Sequence, residues 1–397
     1  MDAIIRNRLK YTEPDYSQDW QYTTNSTSTL VTKYIGTNTI VVTPNKIKRR
    51  PVVLQNSANT SSGVFTNNRN ITSVTFNDGI TFTYNSMAYT FRNCTNLTQA
   101  PNIPNSVTNM YYTFSACYNL TQAHNIPNSV IDMDSTFRNC TNLTQAPNIP
   151  NSVTNMAYTF YNCQKLTQAP NIPNNVIDMS GTFRGCTNLT QAPNIPNSVT
   201  NMYYTFYNCT NLTQAPNIPN SVINMSGTFY GCKNLTQAPN IPDSVIDMSY
   251  TFQNCKNLTQ APNIPNGITN MYYTFYGCKN LTQASNIPNS VTNMSGTFYG
   301  CENLTQAPNI PNGITSMSYA FQNCINLIGD IIIKSENITI FRECFYNTNA
   351  SKAKNVYIPF KYANGVNTKT YNAAFNTTSG INGKNGVTVY DINTYTE

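Results

Sequence analysis

Val107-Thr108-Asn109-Met110-Tyr111-Tyr112-Thr113-Phe114-Ser115-Ala116-Cys117-Tyr118-Asn119-Leu120-Thr121-Gln122 decides the reading of this chain, because it returns in altered form every 23 residues. Its Thr-Phe pair places phenylalanines at 91, 114, 137, 160, 183, 206, 229, 252, 275 and 298, and Ala-Phe continues the step at Phe321. A fixed period of about 20–50 residues marks a solenoid, in which each unit buries its apolar face against its neighbours rather than within itself.

Within the unit, Met110, Phe114 and Cys117 are spaced i, i+4, i+7, which places them on one face of a short helix. The residue before Met is always Asn, Asp or Ser, from Ser86 through Asn109 and Asp132 to Ser316. Each can accept a free backbone N–H as an N-cap. The residue before Cys is Asn or Gly except at Ala116, and both types accept the left-handed conformation that ends a helix. About two turns of capped helix are therefore predicted. Leu97-Thr98-Gln99-Ala100 reads as a short strand, and Pro101 and Pro104 turn the corner. Ile103 and Val107 point back inward. The predicted fold is an α+β repeat solenoid of 23-residue coils, each with a short parallel strand and a short capped helix. Leu97 to Leu327, Met87 to Met317 and Cys94 to Cys324 form ladders in its core, with coils about 4.8 Å apart.

The array has flanks. Phe65 begins a degenerate unit three residues longer than the rest, and Phe345-Tyr346-Asn347-Thr348 closes the series with Thr at the Cys position. Terminal units must differ because they cover an open core. The expected division is residues 1–62 as a partly β attachment and capping segment, 63–348 as a solenoid of about 12–13 coils, and 349–397 as a β-rich cap. Thr39-Ile40-Val41-Val42 and Val387-Thr388-Val389-Tyr390 favour strand there.

Only 10% of residues are charged, against about 25% in ordinary globular chains, so Asn, Thr, Ser and 27 Tyr must provide the polar surface. The net charge of +7 is modest, and its one tight cluster is Lys46, Lys48, Arg49 and Arg50. Nucleic-acid binding would spread such charge along a face, so none is expected. No run approaches the roughly 20 apolar residues of a membrane helix, and charged residues punctuate Met1 to Trp20 where a secretory signal would have an apolar core.

Little in the chain suggests chemistry. Eleven of twelve Cys recur singly at the step of 23 rather than in the close pairs of a zinc site, and read as small apolar fillers. Cys344 stands off that ladder. His124, the one histidine, occupies a place where most units have Pro and has no partner for a nucleophile–base pair. Asp132, Asp178 and Asp247 fall in the row before Met and read as caps. No catalytic residue, metal site or cofactor is expected. The Asn-x-Thr sequences repeated in most coils, such as Asn96-Leu97-Thr98, are by-products of the repeat. Variation concentrates after Met and around Cys. Tyr111-Tyr112, Tyr203-Tyr204 and Tyr272-Tyr273 alternate there with Ser-Gly. Rigid aromatics with a polar tip suit protein or glycan binding; the competing account is that they cover neighbouring coils and alternate with Gly for fit. The constant Thr98-Gln99 row is the other candidate surface, and hydrogen bonding between coils accounts for it equally well.

Val107-Thr108-Asn109-Met110, Thr113-Phe114, Cys117 and Asn119-Leu120-Thr121 together resemble the BspA-like leucine-rich repeats of bacterial surface proteins, over roughly residues 63–348. Tyr34-Ile35-Gly36-Thr37 to Val41-Val42 looks like the lead-in of such proteins. The tail from Asn355 to Phe360 and from Tyr390 to Ile392 resembles the endings of phage-encoded members. The resemblance implies a non-enzymatic adhesion role on a bacterial surface or a virion. The expected partners are a host surface protein or glycan and, through the N-terminal segment, other virion proteins; a homo-oligomer is left open. A phage fibre or receptor-binding component is the leading expectation, ahead of a bacterial adhesin or a purely structural virion decoration.

Overall fold

The computed structural model describes residues 14–57, 61–339, 342–348, 354–358 and 387–391. The repeats stack as expected, but the helix does not form. Among the described residues the helical elements are two single 3-10 turns, Tyr16–Gln18 and Thr83–Asn85. The segment from Met to Cys is instead a run of tight turns, and its hydrogen bonds explain why. The N–H groups of Met110, Tyr112, Phe114 and Ala116 donate sideways to Asp132, Asp134, Thr136 and Arg138 of the next coil, at 2.7–3.0 Å. Those of Thr113, Ser115 and Cys117 fold back onto Met110, Tyr112 and Phe114. The remaining N–H, of Tyr111, donates to Asn109 Oδ1 at 2.8 Å. Every donor in the segment is thus satisfied, as burial requires. A helix would point the same groups along its own axis and forfeit four bonds between coils.

Two residues per segment pay for this geometry by adopting left-handed backbone: Tyr112 (φ 53°) and Ala116 (φ 60°) in this unit. Each is the third residue of a turn closed by a three-residue backbone bond, the pattern of a type II turn. The Asn or Gly before Cys is therefore left-handed as the sequence suggested, though it completes a turn rather than ending a helix. The row before Met caps as expected but serves a turn: Asp132, Asp178 and Asp247 accept from the N–H two residues on, at 3.0, 2.7 and 2.8 Å. The same row forms an unbroken parallel ladder of single-residue bridges from Ser86 to Ser316. The strand predicted at Leu97–Ala100 shrinks to isolated bridges such as Gln99 with Gln122.

Inside each coil the Val (or Ile), Met, Phe, Cys and Leu side chains meet in a dry core, with Val107, Met110, Phe114, Cys117 and Leu120 all fully buried. The phenylalanines from Phe91 to Phe321 stack without interruption, and Phe65 and Phe345 extend the column at its ends. Ring centroids lie 5.1–5.8 Å apart with planes within 11°. This is offset stacking, which the ring quadrupole favours over eclipsed rings at the strand spacing. Two polar rows line the core. Thr136 Oγ1 donates to the Met110 carbonyl of the preceding coil at 2.9 Å, and Cys140 Sγ approaches the Phe114 carbonyl at 3.2 Å. Thr and Cys therefore join coils as well as fill space.

The ends are closed by sheets. β1 (Trp20–Thr24) pairs antiparallel with β2 (Thr29–Tyr34), while β3 (Ile40–Val42) runs parallel to the later segment Ser73–Thr75. β4 (Lys46–Ile47) and β5 (Arg50–Leu54) form a hairpin. Its two loop residues, Lys48 and Arg49, both have positive φ, so the basic cluster is a hairpin tip of the I′ kind. β6 (Asn56–Ser57) pairs with β7 (Ser62–Gly63), β8 is Ser73–Thr75, and β9 (Thr81–Phe82) joins β5. Trp20 and Tyr34 pack on Phe65, with ring centroids 5.8 and 5.9 Å away, and cover the start of the column. At the other end β10 (Ile331–Ile332), β11 (Lys354–Ile358) and β12 (Val387–Asp391) form a parallel sheet. Thr348 is buried at the Cys position, its hydroxyl on the Phe345 carbonyl at 3.2 Å. Cys344 is buried too, directly before Phe345, where most other coils carry Thr. Residues 1–13 of the expected attachment segment, and most of 349–397, lie outside the described residues.

Candidate functional site

Because the turns alternate inward and outward residues, the positions one and two after Met and one and two after Phe are left on a common outer face. Tyr111, Tyr112, Tyr203, Tyr204, Tyr272 and Tyr273 all lie on it and all are half-buried. Within each pair the ring centroids are 4.6, 4.1 and 4.3 Å apart. Tyr89 joins the first pair and Tyr250 the third. Burial pushes the Tyr204 and Tyr273 hydroxyls up to about 12, so they remain neutral donors at physiological pH.

The alternation with glycine has a steric cause. A Cβ on Gly181, Gly227 or Gly296 would run into the ring of Tyr158, Tyr204 or Tyr273 of the preceding coil. These three Tyr therefore lean over a bare position in the next coil, whereas Tyr89 and Tyr250 stack on the rings of Tyr112 and Tyr273 instead. The same positions are left-handed, which glycine adopts without strain.

The face also contains residues that the sequence reading missed. Tyr207 stacks on Tyr230 at 4.4 Å and Tyr276 on Tyr299 at 4.6 Å. Arg184 lies 4.3 Å from the Tyr207 ring centroid, 5.1 Å from that of Tyr204 and 5.5 Å from that of Tyr161; Arg138 lies 4.5 Å from the last. These side chains follow Phe directly, and the signal was available: that position changes between Arg, Tyr, Ser and Gln while the Phe before it stays constant. Elsewhere, Thr98 and its equivalents are exposed but hydrogen-bonded between coils, as Thr121 Oγ1 to the Thr98 carbonyl at 3.2 Å, while the adjacent Gln row faces solvent.

A family model described as BspA type leucine-rich repeat region (6 copies) matches residues 58–190, 156–282 and 246–382. The chain belongs to the BspA-type leucine-rich-repeat family. Among solved structures, this BspA-type chain is similar to a leucine-rich repeat protein from Bacteroides ovatus ATCC 8483, at 21% identity and TM-score 0.64 over 86% of this chain and 88% of that one. It is also similar to a leucine rich cell surface protein from Faecalibacterium prausnitzii A2-165, at 22% identity and TM-score 0.51 over 87% and 93% of the two chains. At these identities the likeness is one of fold. No curated protein matched. BspA-type repeats are commonly found on cell surfaces or outside the cell and are typically non-enzymatic, protein-interacting units. Among the described residues no helix is long and apolar enough to cross a membrane.

Proposed function

We propose that this BspA-type chain is a non-enzymatic adhesion protein that presents the Tyr and Arg face of its solenoid to a host surface protein or glycan. One observation carries this reading: an invariant core holds a face whose residues vary from coil to coil and are rich in the aromatic and arginine types that dominate binding hot spots. The rings are already packed against one another, so little side-chain entropy is lost on binding.

The proposed carrier is a phage particle, on which the chain is a tail or head fibre or receptor-binding component and its N-terminal segment docks to other virion proteins. The tail sequence from Asn355 to Phe360 and from Tyr390 to Ile392, with its likeness to phage-encoded members, supports this. A bacterial cell-surface adhesin is the second reading, favoured by the fold shared with the Faecalibacterium prausnitzii cell surface protein. Immunogold labelling of purified particles, beside fractionation of bacterial cell walls, separates the two. The purified chain should bind host cells and block phage adsorption. Absence of cell binding by the full chain would end the adhesion reading.

A further inference from the structure

We infer that a groove across the coils bearing Gly277 and Gly300 is a binding site for an acidic oligosaccharide, the chain lying along the solenoid axis. This rests on the adhesion reading above and gives that surface a ligand class.

The groove has a cavity volume of about 550 Å3, within the range of about 300–1,000 Å3 typical of ligand sites. It exists because of a break in one row. Two residues after Phe, most coils carry Asn, and successive Asn side chains bridge the coils, as Asn162 to Asn139 at 3.1 Å and Asn347 to Asn323 at 2.8 Å. Where a coil has Gly instead, the preceding Asn leans over it: Asn162 over Gly185, Asn208 over Gly231 and Asn254 over Gly277. Gly300 alone among these follows another Gly, and a Cβ there would meet only the Gly277 backbone at 3.8 Å. The gap stays open.

Its walls have complementary chemistry. On one side Tyr276 and Tyr299 stack at 4.6 Å with planes 16° apart. Both rings line the groove in adjacent coils, so their stack extends along the solenoid rather than across it. On the other side stand Lys256 and Lys279, both exposed, with Glu302 2.6 Å from Lys279. Asn254 and Asn323 supply amides along the floor. Two ammonium groups against one carboxylate leave a net positive wall for an anion. The tyrosine hydroxyls, amides and Glu302 carboxylate are hydrogen-bonding groups of the kinds that a polyhydroxylated ligand pairs with. A polymer with a repeating carboxylate matches both features and the run of lining residues over successive coils, from Asn254 to Asn347.

The test is calorimetric titration of the full chain with a galacturonic acid tetramer and with a neutral galactose tetramer. The acidic sugar should bind at least about tenfold tighter. Gly300→Asn fills the gap with the residue that the row carries at Asn254 and Asn323, and should weaken binding about tenfold or more. Lys256→Gln should weaken it as well, whereas Lys165→Gln, the same charge change several coils away, should not. Equal affinity for the two sugars, unchanged binding by Gly300→Asn, or equal losses in the two lysine variants would overturn the assignment. Host-cell binding by the same proteins keeps the readings separate. A chain that binds cells but prefers no acidic sugar refutes the groove alone, and one that binds the sugar but no cells refutes adhesion alone.

Discussion

Phe206 lies between Phe183 and Phe229, with ring centroids 5.7 Å away on both sides. Leu212 is fully buried beside that column. Replacing either by Ala leaves a cavity that a stacked coil cannot collapse, and should cost about 2–5 kcal/mol in urea denaturation; a loss below about 1 kcal/mol at both would contradict their place in the core. The left-handed positions give a second prediction. Asn208 has φ 57°, where Asn is accepted and a β-branched residue is strained. Asn208→Val should destabilise by about 1–2 kcal/mol from backbone strain alone. Gly227→Ala adds to comparable backbone strain a collision with the Tyr204 ring, so it should cost more than Gly79→Ala, whose surroundings are open. Equal losses at the two glycines would remove the argument for Tyr-over-Gly packing.

At the scale of the turn segment, the Asx caps and the thiols are the parts to perturb. Asn201 Oδ1 accepts the Tyr203 N–H at 3.1 Å. Asn201→Ala leaves that donor without its partner and should cost about 0.5–2 kcal/mol, as a lost cap does. The thiols respond to pH. Burial pushes Cys94 and Cys186 up to about 12, from an ordinary value of 9.0. Between those values the folded chain keeps protons that the unfolded chain has lost. Stability is therefore fully present below about pH 9 and falls as pH rises toward 12. The half-buried tyrosines add in the same direction. Urea midpoints at about pH 8 and about pH 11 should differ clearly, and a flat profile would contradict a protonated, dry thiol ladder. Alkylating reagents at neutral pH should label these cysteines only after unfolding, because all twelve are buried in the folded chain.

Over the whole molecule, stability is a sum of neighbouring contacts, so an array fails from its ends. Trp20 and Tyr34 close the first end by packing on Phe65. Trp20→Ala should raise amide hydrogen exchange in the coils around Met87 to Leu120 and leave those around Met202 to Leu235 unchanged. Uniform acceleration along the chain would mean that the coils unfold as one unit rather than from an exposed end. The same logic separates scaffold from surface. Substitutions on the Tyr and Arg face should alter binding while leaving central coils protected, because that face adds little to the column beneath it.

The period, the ladders of Met, Phe, Cys and Leu, and the left-handed residue before Cys were all legible in the sequence. Each follows from residue type and spacing within one unit. The helix was not excluded there, since the i, i+4, i+7 spacing and a polar cap serve a two-turn helix and a pair of type II turns equally well. The choice belongs to the tertiary structure: up to four N–H groups per segment find carbonyls in the next coil, and those bonds hold even Tyr112 and Tyr204 in left-handed backbone that their bulk disfavours. The groove is decided at the same level. Gly277 and Gly300 stand 23 residues apart in sequence and become a site only because stacking brings their backbones together.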